Sequence, residues 1–121
     1  MSVTVDFLAR GESESEYRMV LVEHGPWEEI DVEMRRVQER LYGCIEAALD
    51  GDLARKFPES HGKIIVIRLD GYDLPEDEVS AFFERFADGI MKIPDYAEEL
   101  RSCEYVEAFR FELNFEALPQ N

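Results

Sequence analysis

Along the first residues, apolar and polar side chains alternate: Val3, Val5 and Phe7 fall on one side, Thr4 and Asp6 on the other. A period of two predicts a half-buried strand, because successive side chains of an extended chain leave on opposite faces. The polar run from Arg10 to Glu16 interrupts it. From Tyr17 to Glu23 the chain is apolar on both sides at its centre, which predicts an interior strand. The two strands are expected to pair as a hairpin across a long acidic loop.

His24-Gly25-Pro26-Trp27 ends that strand, since glycine and proline together break regular structure and proline suits the first turn of a helix. Ile30, Met34, Val37, Leu41, Ile45, Ala48 and Leu49 then recur at spacings of three and four, the stripe of an amphipathic helix of about five turns. Asp31/Arg35 and Arg35/Glu39 pair along its solvated side. Asp50-Gly51-Asp52 supplies a stop, Leu53 to Phe57 makes one further turn, and Pro58 ends it. Lys63 to Leu69 reads as a central strand with apolar residues on both faces, and Asp70-Gly71 reads as the turn after it.

Asp73-Leu74-Pro75-Glu76-Asp77-Glu78 has the form of a helix start: a capping aspartate, an early proline, and acids that complement the helix dipole. Val79, Phe82, Phe83, Phe86 and Ile90, with Met91, form the apolar stripe of that second helix, which Pro94 should terminate. Residues 95 to 101 can add a short turn. In the last strand Phe109, Phe111, Leu113 and Phe115 point inward, while Ala108, Arg110, Glu112, Asn114 and Glu116 point outward. The expected fold is one domain over residues 1–121: an α+β two-layer sandwich in the order β-β-α-β-α-β, with a four-stranded mixed sheet and two main helices on one face. The uncovered face would carry Val20, Val22, Ile64 and Val66. Apolar residues grouped in water predict a homodimer through that open sheet face.

Charge narrows the classes of function. The 121 residues hold 28 acidic and 13 basic side chains, for a formal net charge of −15, with 45% hydrophobic residues. That apolar content is too high for a disordered acidic tail. The acidity argues against nucleic acid, whose binding requires clustered Lys and Arg, and against anionic membrane surfaces. The N-terminus lacks the basic and apolar regions of a secretory signal. The longest apolar run, around Ile64 to Ile67, is far short of the ~20 residues that span a bilayer. A cytoplasmic protein is expected, with Cys44 and Cys103 as free thiols.

Chemistry-bearing residues are few. Glu23 and His24 stand at the end of the second strand, where a site can be built, and histidine transfers protons near neutral pH. Trp27, after Gly-Pro, either anchors a partner or staples the first helix to the sheet; the staple is favoured. His61 lies in the loop before the third strand. These four residues form the candidate binding site. No catalytic residue, metal site or cofactor is expected: His24, His61, Cys44 and Cys103 sit on scattered elements, and no P-loop, GxGxxG, GxSxG or HExxH is present.

The chain resembles a family of small stand-alone bacterial proteins classed as a domain of unknown function. The resemblance rests on Val5-Asp6-Phe7, on His24-Gly25-Pro26-Trp27, and chiefly on Ala48-Leu49-Asp50-Gly51-Asp52-Leu53 followed by Phe57-Pro58 and Gly62-Lys63. It spans about residues 5 to 69 and carries over no site residue. The loop of residues 10 to 16 departs from it in lacking a Thr-Gly turn.

The uneven charge favours a non-catalytic protein–protein interaction module. Residues 70–121 hold 14 acids and 4 bases, whereas residues 1–69 hold 14 and 9. Such a surface steers toward a basic protein partner, as in inhibitors and immunity proteins that cap basic enzymes. The alternative is a small enzyme or ligand-binding protein built on Glu23, His24 and Trp27, with His61 contributing.

Overall fold

In a computed structural model, which describes residues 7–10 and 13–116, the chain forms β1 (Phe7–Arg10), β2 (Glu16–His24), α1 (Ile30–Leu49), α2 (Asp52–Lys56), β3 (Lys63–Tyr72), α3 (Glu76–Gly89), α4 (Pro94–Ser102) and β4 (Val106–Glu116). Single 3₁₀ turns at Pro58–Ser60 and Ile90–Lys92 follow α2 and α3. The strand expected at Val3 and Val5 lies outside the described residues.

The expected β-β-α-β-α-β order, with its four-stranded mixed sheet and two main helices, needs correction. The body of the sheet is three parallel strands, β2, β3 and β4, joined by two crossovers that carry two α-helices each. Among the described residues, four α-helices therefore make up the helical layer. The four-residue β1 runs antiparallel along β2 at the margin, from Phe7 opposite Val20 to Arg10 opposite Tyr17. Local breaks explain the extra helices. Gly51 adopts a left-handed conformation at φ 90°, which separates α1 from α2. Pro94 opens α4 from its first turn, where a missing N–H costs nothing, and does not end α3, which already stops at Gly89.

β3 also runs past its expected end. Asp70 and Gly71 lie inside the strand, hydrogen-bonded in register between Val22-Glu23 and Asn114-Phe115. Two flanking parallel strands thus override a local turn signal. Gly71 suits the position because a Cβ there would stand 2.7 Å from Leu74 Cδ1 and 3.2 Å from Phe115 Cδ1. The chain turns instead at Asp73, at φ 58°, a left-handed conformation that aspartate tolerates. Asp73 does not cap α3, whose N-cap is Pro75 without a side-chain bond.

One apolar core fills the space between the layers. Tyr17, Met19 and Leu21 of β2, Ile65, Ile67 and Leu69 of β3, and Phe109, Phe111 and Leu113 of β4 meet Val37, Leu41 and Ile45 of α1 and Val79, Phe83 and Phe86 of α3. Phe83 and Phe86 both pack edge-on against Phe111, with centroids 6.3 and 5.8 Å away. The opposite sheet face carries Val20, Val22, Ile64 and Val66, as the alternation requires, but Val20 and Val66 are only 2% and 0% exposed. Beside them in register stand Arg18, Arg68 and Arg110 with Glu16, Asp70, Glu112 and Glu116. That face is an ionic lattice framing buried valines.

Candidate functional site

Parallel strands gather their carboxyl ends at one edge of the sheet, the usual place for a site in open α/β folds. Here β2, β3 and β4 bring His24, Tyr72 and Glu116 into one row on the open face, and Glu23, Gly71 and Phe115 into the adjacent row beneath the helices. The imidazole of His24 stacks on Tyr72, with centroids 5.1 Å apart. The Tyr72 hydroxyl donates to Glu116 Oε2 at 2.8 Å, and Asn114 Nδ2 donates to Glu116 Oε1 at 2.9 Å. Hydrogen bonding to Glu116 raises the Tyr72 hydroxyl above its ordinary pKa.

Glu23 is one residue away and differently placed. Its side chain is 4% exposed and accepts from Arg36 Nη1 at 2.9 Å, Arg36 Nη2 at 2.5 Å and Arg40 Nη1 at 2.6 Å. The two arginines are four apart on α1, on one helix face. Arg36 Nε donates in addition to Glu33 at 2.9 Å. Burial alone pushes the Glu23 carboxyl up, but the hydrogen bonds from Arg36 and Arg40, and their charges, outweigh it and hold the group below its ordinary value. A carboxylate held ionised by two guanidiniums is a poor proton acceptor. It ties α1 to the end of β2.

Trp27 is 8% exposed and belongs to the apolar core, so it staples the entry of α1; its Nε1 is buried without a hydrogen-bond partner among the described residues. His61 lies at the other end of the sheet, just before β3, edge-on to Tyr105 at 5.7 Å. Ten residues of β3 separate it from the His24 row, ~30 Å at the strand rise of about 3.3 Å per residue. The structure thus brings Glu23, His24 and Trp27 to one end and leaves His61 apart.

The ionic lattice on the open face escaped the sequence reading, although its signal was present as charge at every second position. Arg18 reaches Glu112 at 3.2 Å, Arg68 reaches Asp70 at 2.7 Å, and Arg110 pairs with Glu16 and, at 3.2 Å, with Glu112. Arg18 and Arg68 share their strand face with Val20 and Val66, and runs of valine and isoleucine conceal a charged face when each strand is read alone.

Elsewhere, a groove of about 410 Å³ runs between α1 and α3, lined by Tyr42, Phe82, Phe86, Ile90 and Ile93 with Arg85 at its side. None of the four candidate residues lines it. Cys44 is fully buried in the core, and burial pushes its thiol up to about 12. Cys103 is half-buried, with Sγ 3.5 Å from the Leu49 carbonyl. Among the described residues no group of three or more His, Cys, Asp and Glu is placed to hold a metal ion, and no helix is long and apolar enough to cross a membrane.

The outer surface of the helical layer contrasts with the sheet. Residues 73–102, spanning α3 and α4, hold nine acids against three bases. Glu76, Asp77, Glu78, Glu84, Asp88, Asp95, Glu98 and Glu99 are all exposed. None of them is ion-paired with another described residue; the paired acids lie on β2, β3, β4, α1 and α2. Comparisons with protein-family models, curated proteins and solved structures match nothing.

Proposed function

We propose that the protein is a non-catalytic interaction module that engages a basic protein, in the manner of an inhibitor or immunity protein, through the outer surface of α3 and α4. The observation that carries this reading is the unpaired acidity of that surface. On the sheet and at the end of β2 arginines neutralise carboxylates: Arg36 and Arg40 at Glu23, and Arg18, Arg68 and Arg110 across the open face. On α3 and α4 the negative field is left open to solvent, where it accelerates encounter with a positive surface. Glu23, clamped between arginines, and Trp27, in the core, have structural work that explains their presence. The resemblance over residues 5 to 69 runs from β1 through α2 into most of β3 and stops short of α3 and α4, so it assigns no role to this surface.

Salt separates this reading from the enzymatic one. Immobilised protein is exposed to candidate basic proteins at about 0.05 M and about 0.5 M salt, between which the Debye length falls from ~14 Å to ~4 Å. A basic partner retained at low salt and released at high salt supports the proposal. Retention that ignores salt, or retention of no basic protein, overturns it.

A further inference from the structure

We propose that the outer edge of β4 pairs with β4 of a second copy, antiparallel and centred on Phe111, joining two sheets into one. Among the described residues β4 has a neighbour on one side only, β3. It is an eleven-residue strand, without proline, and its one register irregularity falls near its start, at Lys63/Ile64 of β3. A long regular edge leaves a row of backbone donors and acceptors ready for another strand. The opposite margin is the four-residue β1.

Two features of β4 identify a second copy as the occupant. The first is the apolar row under the helices. Phe109, Phe111, Leu113 and Phe115 all remain half-buried, whereas their register partners on β3, Ile65, Ile67 and Leu69, are 0% exposed. The helices cover the centre of the sheet and leave its β4 margin open. The second is charge on the other face, where Arg110 and Glu112 are consecutive outward positions. Antiparallel pairing that matches faces allows only registers whose paired numbers have an even sum. The register that overlaps all eleven residues sets Phe111 opposite Phe111, Phe109 opposite Leu113, and Arg110 opposite Glu112 twice over. Slipping it by two residues either way puts Arg110 opposite Arg110 or Glu112 opposite Glu112, which opposes like charges directly. Full overlap and charge complementarity thus select one register. Arg110, 48% exposed, already contacts its own Glu112 at 3.2 Å, so the pairing closes a ring of two arginines and two glutamates. The face bearing Val20 and Val66 is not used.

The test combines mass with register. Light scattering on full-length protein should give twice the monomer mass, and Arg110→Glu, which sets Glu opposite Glu112, should return the monomer. Arg110 also holds Glu16, so circular dichroism must show Arg110→Glu folded. A second variant is independent of that risk. Ala108 and Asn114 face each other across the proposed axis, so Ala108→Cys/Asn114→Cys in a Cys103→Ser background should form a covalent dimer on air oxidation. Either single replacement should form none. A wild-type monomer at concentrations of hundreds of micromolar, or a dimer that the double-cysteine variant does not trap, overturns the proposal. Because this edge lies on the sheet and not on the outer surface of α3 and α4, its failure leaves the basic-partner reading standing, and the reverse also holds.

Discussion

Replacing Glu23 with glutamine keeps the size of a side chain that is 4% exposed but removes the charge that Arg36 and Arg40 both address. Glutamine still offers one oxygen, yet its amide nitrogen turns donors toward a guanidinium. Hydrogen bonds to charged groups contribute about 1.5–3 kcal/mol each. The guanidiniums here are only partly withdrawn from water, at 46% and 18% exposure, so a net loss near the lower end, ~2 kcal/mol for the variant, follows. For a chain of this length that corresponds to a fall in Tm of ~6–10 °C, or a urea midpoint lower by ~1 M at an m value of about 2 kcal/mol/M. The pH dependence follows from the sign of the shift. The folded carboxyl titrates below its ordinary value of 4.5, so its stabilisation is fully present above that pH and is lost as pH falls through the folded value. Urea unfolding of both proteins at pH 7 and in steps down to pH 3 should show a gap that closes below about pH 4.5. A difference under ~0.5 kcal/mol at pH 7, or one that persists unchanged in acid, refutes the clamp.

Three further substitutions and labels probe the fold around the site. A Cβ at Gly25 would stand 1.8 Å from the Asp73 carbonyl oxygen, in the turn where Gly25 N–H donates to the Tyr72 carbonyl. Gly25→Ala must therefore move backbone and should destabilise by about 3 kcal/mol in thermal unfolding; a neutral result contradicts the contact. Gly89, at the end of α3, has nothing within 4 Å of such a Cβ and a helical φ of −96°, so Gly89→Ala should stabilise by roughly 0.5–1 kcal/mol. A thiol reagent followed by mass spectrometry should label the folded protein once, at Cys103, because Cys44 is buried with its thiol at about 12. Two labels before unfolding would show an open core.

What could be read from residues alone tracks how local each constraint is. The stripe from Ile30 to Leu49 is self-contained, and α1 has those bounds. The outward row of β4 was equally plain, because alternation within one strand declares both faces. The end of β3 was not, since Asp70-Gly71 has turn chemistry and only its two parallel neighbours keep it extended. Pro94 posed the same ambiguity, as proline ends one helix and opens the next by the same missing N–H. The site followed that rule. Chain proximity placed Glu23, His24 and Trp27 together, but the Glu23 partners come from α1 and the Tyr72 under His24 comes from β3. Those contacts depend on packing between elements and leave no trace in spacing. The ion pairs across the open face are likewise a property of register among three strands.

The unpaired acidity of α3 and α4 is what the functional reading depends on, and matched charge changes test it most directly. One variant neutralises Glu76, Glu84 and Asp88 on α3 as Glu76→Gln/Glu84→Gln/Asp88→Asn. The other removes equal charge away from that surface as Glu28→Gln/Glu104→Gln/Glu107→Gln, at three exposed positions. Association rates with a basic partner are then measured for both variants and the parent across a salt series. The account predicts that the α3 variant loses tenfold or more in rate and most of the salt dependence, while the control stays near the parent. Equal losses in the two variants, or no loss in either, would contradict it.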